Sequence, residues 1–328
     1  GFYNMGNTYL ELKDFENAKD FLKKALTVEP KYDAAYSNLG AIYRTLGKAK
    51  ESLRCYRNAI EINPDNPNNY YNIALTLTQI GQIDDAKENY EKAIHLDPRQ
   101  SDSYLNLALL HQERGQFNLA LKIAKKVLKF ETSHSKTNHS IGLFNLQLGR
   151  FKEGWKYYES RWEISPKSKL SWPNQEKNFW KGERGKRVIL WKEQGIGDQI
   201  ILLSLATEVK EMCDTLSVYV DSRLLSLCRR AMPEINFVTD IQELQNVACD
   251  YHLPLGSVPG LIRNDIRDFD RTIAGYLKAD PKRVEGIRNE LQLHGKTVIG
   301  ISWKSLSSTY STKSVQLRDM ERLFLGLD

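Results

Sequence analysis

Cysteine is scarce in this 328-residue chain, and its four copies (Cys55, Cys213, Cys228 and Cys249) never stand as a CxxC pair. Such spacing argues against a zinc or disulfide framework and fits small buried hydrophobes in a reducing cytoplasm, so a cytoplasmic protein with no structural metal is expected; no bound cofactor is expected either. Long apolar runs are also lacking: no stretch approaches the roughly 20 residues that span a bilayer. The opening residues, Gly1-Phe2-Tyr3-Asn4, lack the basic and apolar regions of a signal peptide. One-sided charge is missing too. The formal charge is +6 and the pI about 8.9, with Lys and Arg interspersed among Asp and Glu, so nucleic-acid binding has little support.

What the chain does have is a repeat. Hydrophobic residues make up 41% of it, enough for two domains and a fragment of a third. A period of 34 residues aligns Phe2, Tyr36, Tyr70, Tyr104 and Asn138. The same offset brings Met5, Leu39, Ile73, Leu107 and Ile141 into one column, and Gly6, Gly40, Ala74, Ala108 and Gly142 into the next. Small residues recur at Ala18, Ser52, Ala86, Ala120 and Gly154, where paired helices must approach closely. A further column reads Ala25, Ala59, Ala93, Val127 and Arg161. Gly47, Gly81, Gly115 and Gly149 fall between paired helices, and Pro30, Pro64 and Pro98 stop the second helix of each pair.

This pattern resembles the tetratricopeptide repeat family over residues 1–166, in five copies, which implies an α solenoid with a concave face that holds a peptide or protein. Phe2 already stands at the fourth position of a unit, so more repeats are expected upstream. Asn4, Asn38, Asn72 and Asn106 recur at one phase of the first helices. An amide offers a donor and an acceptor together, so such a ladder can pair with the backbone of an extended peptide, as in the asparagine ladder of the O-GlcNAc transferase superhelix that it resembles. The alternative is that each Asn bonds only a neighbouring helix.

Beyond Gly149 aromatic residues crowd together: Phe151, Trp155, Tyr157, Tyr158 and Trp162, followed by Trp172 and Trp180. They read as an interdomain packing seam, with residues 167–187 as a basic linker. From residue 188 strands and helices alternate. Strands are expected at 188–191, 216–220, 235–238 and 249–253, with helices at 200–212 and 222–231 between them, which implies a parallel sheet covered on both faces. Ligands of such sheets bind beyond the carboxyl ends of the strands.

Gly195-Ile196-Gly197 makes a glycine turn between strand and helix, a common anion cradle. Ile200 replaces the third glycine of a dinucleotide fingerprint, although Asp221 stands where a ribose-binding acid would fall, so a nicotinamide-binding domain is a minor reading. The run Glu193-Gln194-Gly195-Ile196-Gly197-Asp198-Gln199-Ile200 resembles the start of the acceptor half of GT-B glycosyltransferases of the ADP-heptosyltransferase type. Gly154-Trp155 with Tyr158, Glu159, Arg161 and Trp162, then 253–259 (LPLGSVP) and Gly300-Ile301-Ser302-Trp303, strengthen the likeness in the correct order. The resemblance implies that Asp198 is the general base on the acceptor hydroxyl. An Asp that begins a helix can equally be an N-cap. Gln194, Gly195, Gly197, His252 and Ser257 are the other acceptor-side candidates, although His252 reads first as a structural histidine, since nothing in the sequence fixes a partner for it.

Asp268-Phe269-Asp270 forms a DxD that follows no apolar strand and reads as a coincidental surface pair. A last strand is expected at 297–303, followed by a polar loop in which the resemblance implies that Ser302, Ser305 and Lys313 hold a donor diphosphate. The expected organisation is therefore a solenoid at 1–166, a linker at 167–187, the Rossmann-like acceptor half at 188–295 and the start of a nucleotide-sugar domain at 296–328. The implied activity is metal-independent, inverting transfer of a sugar from a nucleotide diphosphate donor to an acceptor, a protein held by the solenoid being one candidate. An incomplete donor domain would leave this chain inactive. The alternative is a non-enzymatic peptide-binding scaffold with a degenerate transferase domain.

Overall fold

The computed structural model describes residues 1–164, 178–271 and 275–291. The chain divides into two compact units, 1–276 and 277–328.

The first unit opens with five antiparallel helix pairs: α1 (Phe2–Glu11) with α2 (Phe15–Val28), α3 (Asp33–Thr45) with α4 (Ala49–Ile62), α5 (Pro67–Gln79) with α6 (Ile83–Leu96), α7 (Ser101–Glu113) with α8 (Phe117–Val127), and α9 (Ser135–Gln147) with α10 (Phe151–Tyr158). Each turn within a pair needs one residue in the left-handed region. Gly47, Gly81, Gly115 and Gly149 supply it at φ of 72, 77, 71 and 71° without steric cost, while Lys13 takes the same role at 59°. The small columns are where the helices touch. A β-carbon on Gly142 would lie 2.7 Å from the Tyr158 backbone nitrogen, so nothing larger lets α9 meet α10 at this distance. Apolar side chains between the pairs form a continuous core from Leu53 to Phe144, with a second cluster around Ala18, Leu22 and Ile42 at the N-terminal end.

The fifth pair departs from the pattern. Its second helix stops at Tyr158, and a short helix α11 (Arg161–Ile164) follows. Ala25, Ala59, Ala93 and Val127, which Arg161 replaces in this last unit, are buried. Among the described residues no sixth repeat packs here. Instead Trp162 enters the core of the sheet, against Ile189, Trp191, Val238, Leu244 and Cys249, with its ring 5.6 Å from that of Trp191.

Five parallel strands form that sheet: β1 (Asn178–Phe179), β2 (Arg187–Trp191), β3 (Thr215–Tyr219), β4 (Asn236–Val238) and β5 (Tyr251–Pro254), in the order β1-β5-β2-β3-β4. The helices between and after them are α12 (Ile196–Leu203), α13 (Ala206–Met212), α14 (Leu225–Ala231), α15 (Ile241–Gln245) and α16 (Pro259–Ile262). From β2 the chain builds outward through β3 and β4, then returns to lay β5 on the other side of β2. The topological switch point therefore lies between the carboxyl ends of β2 and β5.

The sequence reading needs three corrections. The linker expected at 167–187 is not wholly a linker, because β1 pairs with β5 and Trp180 is buried with its indole N–H donated to the Glu183 carbonyl. The helix expected at 200–212 begins earlier, at Ile196, and breaks at Ser204-Leu205 into α12 and α13. The helix expected at 222–231 starts as a 3₁₀ turn (Ser222–Leu224) before α14. All four cysteines are free and buried, and burial pushes the Cys213 and Cys228 thiols up to about 11.

In the second unit, 277–328, the helix α17 (Pro281–Glu290) is capped by Asp280, whose carboxylate accepts the Lys282 and Arg283 amides. Residues 165–177, the expected strand at 297–303, and Ser302, Ser305 and Lys313 lie outside the described residues.

Candidate functional site

The switch point is where the glycine turn falls. β2 ends at Trp191, and residues 193–195 carry the chain to Gly195, the N-cap of α12. Asp198 stands in the first turn of this helix, exposed, and among the described residues its carboxylate makes no hydrogen bond and no cap. The N-cap alternative for Asp198 is thereby corrected: Gly195 holds that position, and the carboxylate is left to face solvent beside the turn.

What holds the turn is a polar network supplied from both sides of the seam. The Glu193 side chain is 3% exposed and takes the Arg161 guanidinium at 2.9 Å, while Glu193 Oε1 also accepts the Gly256 amide at 2.9 Å. Burial raises the Glu193 carboxyl above its usual range, against the opposing pull of Arg161. Arg161 also donates to Glu159 at 2.7 Å and to the Ser257 hydroxyl at 2.8 Å, and that hydroxyl donates back to Glu159. Gln194 donates to the Tyr158 hydroxyl at 2.7 Å. Gln199, 3% exposed, clamps the far side: its amide donates to the Gln194 carbonyl, and its Oε1 accepts the Asp221 amide, both at 3.0 Å.

The structure thus brings Gln194, Gly195, Gly197, Asp198 and Ser257 to one place and leaves His252 outside it. His252 is 3% exposed within β5, with Nδ1 accepting the Trp191 indole N–H at 3.1 Å and the Phe179 ring packed beside it. It is a structural histidine. Asp221 caps the 3₁₀ turn after β3 and pairs with Arg223, which holds its carboxyl down at about 2, so it is committed elsewhere than to a ribose. Asp268 of the DxD accepts the Asn264 and Asp265 amides, and Phe269 packs on Phe151. Among the described residues no cluster of His, Cys, Asp and Glu could hold a metal.

Sequence reasoning passed over Arg161 and Gln199 as site residues. Arg161 carried a signal, since a cation breaks a column that is otherwise Ala or Val; a lone Gln on an apolar helix carried none.

The asparagine column divides. Asn38 donates to Asn7 Oδ1 at 2.7 Å and to the Tyr3 hydroxyl at 3.4 Å, and Asn106 donates to the Tyr71 hydroxyl at 3.3 Å and to the Asp102 carbonyl at 2.9 Å. Where the preceding repeat supplies a tyrosine, the amide bonds that neighbouring helix. Asn4 and Asn72 make no such side-chain bond. Helical repeats therefore use part of the ladder's hydrogen-bonding capacity on themselves, while Asn4 is exposed and Asn72 half-buried.

The described residues contain no helix long and apolar enough to cross a membrane. Comparison with known proteins bears on the helical half. Residues 40–80 match the family described as TPR repeat, and residues 1–32, 67–100 and 89–122 match tetratricopeptide repeat families. Protein FlbA of Caulobacter vibrioides is 27% identical over 179 residues, which cover 47% of this chain and 29% of FlbA, so the chain spans under a third of that relative's length. Among solved structures, MamA is similar at a TM-score of 0.44 and 22% identity, over 51% of this chain and 97% of its own. PilW, a widely conserved type IV pilus biogenesis factor, gives 0.46 and 23%, over 52% and 81%. YrrB, a TPR protein with an unusual peptide-binding site, gives 0.41 and 18%, over 52% and 87%. The first ~120 residues of this chain are tetratricopeptide repeats, and they lead into a small parallel sheet of five strands.

Proposed function

We propose that the repeats hold a protein or peptide and that the sheet is the acceptor half of a GT-B glycosyltransferase that glycosylates it. The observation that carries this reading is the position of Asp198: an exposed, unbonded carboxylate beside the glycine turn at the switch point. The motif resemblance assigns the same residue the role of base. In the proposed step a hydroxyl of the bound acceptor loses its proton to Asp198 as its oxygen attacks the anomeric carbon of the donor. The bond from that carbon to the nucleoside diphosphate breaks, and the diphosphate leaves with the electron pair. Gln194 and the Gly195–Gly197 backbone orient the turn, and the Arg161–Glu193 pair fixes it to the repeats.

A second reading, a protein-binding scaffold without turnover, is favoured by one observation. Ser257 already gives its hydroxyl to Glu159 and accepts from Arg161, so an acceptor-side candidate is committed to the seam.

The two readings part in a calorimetric titration with a panel of nucleoside diphosphates, using this chain and one continued through a full second sheet domain. Binding by the continued chain, with product formation that falls by about 10²-fold or more in Asp198→Asn, supports the transferase. Peptide affinity without diphosphate binding or turnover sinks it and leaves the scaffold.

A further inference from the structure

The second helices of the repeats carry charge in an ordered way. At matching positions α2 has Glu16, Asp20 and Lys23; α4 has Lys50, Arg54 and Arg57; α6 has Asp84, Glu88 and Glu91; α8 has Asn118, Lys122 and Lys125; α10 has Lys152, Lys156 and then Glu159. The sign therefore alternates from layer to layer, mainly acidic, basic, acidic, basic, so that each stripe lies beside one of opposite charge. Glu16, for instance, is drawn to Lys48 of the next layer, after its own-helix partner Lys19. The alternation fails at α10. Its two lysines follow a basic stripe where an acidic one is due, and the adjacency of α8 and α10 is fixed by Arg150, which donates to Asn118 at 3.1 Å. Lys122, Lys125, Lys152 and Lys156 are all exposed, and none has an ion pair among the described residues.

Beside α10, on the flank where the next layer would stand, is a cavity of about 770 Å³. Lys152 and Lys156 line it together with Trp155, Trp162, Phe179 and Ser257, and with Glu159, whose carboxylate is already paired with Arg161. Aromatic and aliphatic walls under a pair of ammonium groups suit a chain that carries carboxylates next to a large apolar side chain. They suit a nucleic acid poorly, since its backbone would meet two lysines beside a carboxylate and no arginine fork.

We propose that this flank of α10 is a docking site for an acidic protein segment, which completes the alternating charge series and seats one aromatic or aliphatic side chain in the Trp155 cavity. The site borders the network that holds the Asp198 turn, sharing Glu159 and Ser257 with it, but does not depend on the transferase reading. Electrostatic attraction supplies orientation and encounter rate, and the seated side chain holds the complex together.

The test uses the full chain and a fluorescein-labelled twelve-residue Glu/Asp peptide with one central Phe, followed by fluorescence anisotropy. Binding is expected to weaken with salt and to fall at least about tenfold in Lys122→Glu/Lys156→Glu. It should also fall for the same peptide with Ala in place of Phe. Lys50→Glu/Arg54→Glu, which reverses a basic stripe already flanked by acidic ones, should leave it within about twofold. Absence of binding, or equal losses in both reversal variants, overturns the proposal. So does equal affinity for an oligothymidylate or for phosphatidylserine vesicles, which would make the flank a general polyanion surface.

Discussion

His139 shows how a single residue ties the last repeat to the seam. Its ring packs 5.2 Å from that of Tyr158 and bonds the Tyr158 backbone, while Nδ1 is buried with no partner among the described residues. Burial lowers its pKa below the usual value, helped by the nearby Arg161 charge, although the bond to Tyr158 acts the other way. The sign of the consequence follows from proton counting. Below about pH 6.5 the unfolded chain takes up a proton at this residue that the folded chain resists, so stability present at neutral pH is lost as pH falls. Thermal unfolding at about pH 7.5 and about pH 5 should show a larger loss for the native chain than for His139→Gln; identical losses would mean that the folded environment does not discriminate against the charged ring. Gly256 makes a related point about packing. A β-carbon there would sit 2.2 Å from Glu193 Oε1, so the carboxylate can reach the Gly256 amide only because the side chain is missing.

At the scale of elements, the left-handed turn inside each repeat is the clearest lever. Four repeats place glycine there and the first places Lys13, which bears the clash that glycine avoids. Lys13→Gly should therefore stabilise the chain by up to about 1 kcal/mol, the relief of the left-handed conformation being partly offset by the greater freedom of glycine in the unfolded state. Urea unfolding decides it, and an unchanged or lower midpoint would mean that Lys13 gains from a contact that its backbone angle does not reveal. The repeats were legible in the sequence for the same reason. Glycine turns, small contact residues and apolar columns each recur at 34 residues, so one unit's geometry confirms the next. The sheet offered no such redundancy. Its strands β2 to β5 could be read because buried parallel strands are short apolar runs, whereas β1 is two residues, Asn178 and Phe179, whose pairing depends on β5 more than seventy residues later. The break between α12 and α13 was likewise hidden, since Ile200 to Met212 is continuously compatible with a helix and only tertiary packing divides it.

At the scale of the molecule, the site was half legible. The glycine turn and Asp198 stood out because a local motif marks them, but the groups that hold the turn come from Tyr158, Arg161 and Ser257, and no periodicity connects residues so far apart. Their arrangement implies that solenoid and sheet are mechanically one body. Trp162 belongs by sequence to the repeats and by packing to the core of the sheet, Arg161 is paired with buried Glu193, and the Trp155 indole donates at 2.7 Å to the carbonyl of Arg263, whose buried side chain pairs with half-buried Glu208. Repeat arrays usually unfold in pieces, since each unit contacts only its neighbours. Here the terminal pair has the sheet as its neighbour, so the final repeats should unfold with it. In urea, amide exchange of α9 and α10 should become global together with that of β2 and β3. Trp162→Ala should cost about 3–5 kcal/mol and uncouple the two, with the sheet melting first. If α9 and α10 already open independently of β2 in the native chain, the seam is a contact between two separately stable parts, and the Arg161–Glu193 pair cannot transmit the position of the solenoid to the Asp198 turn.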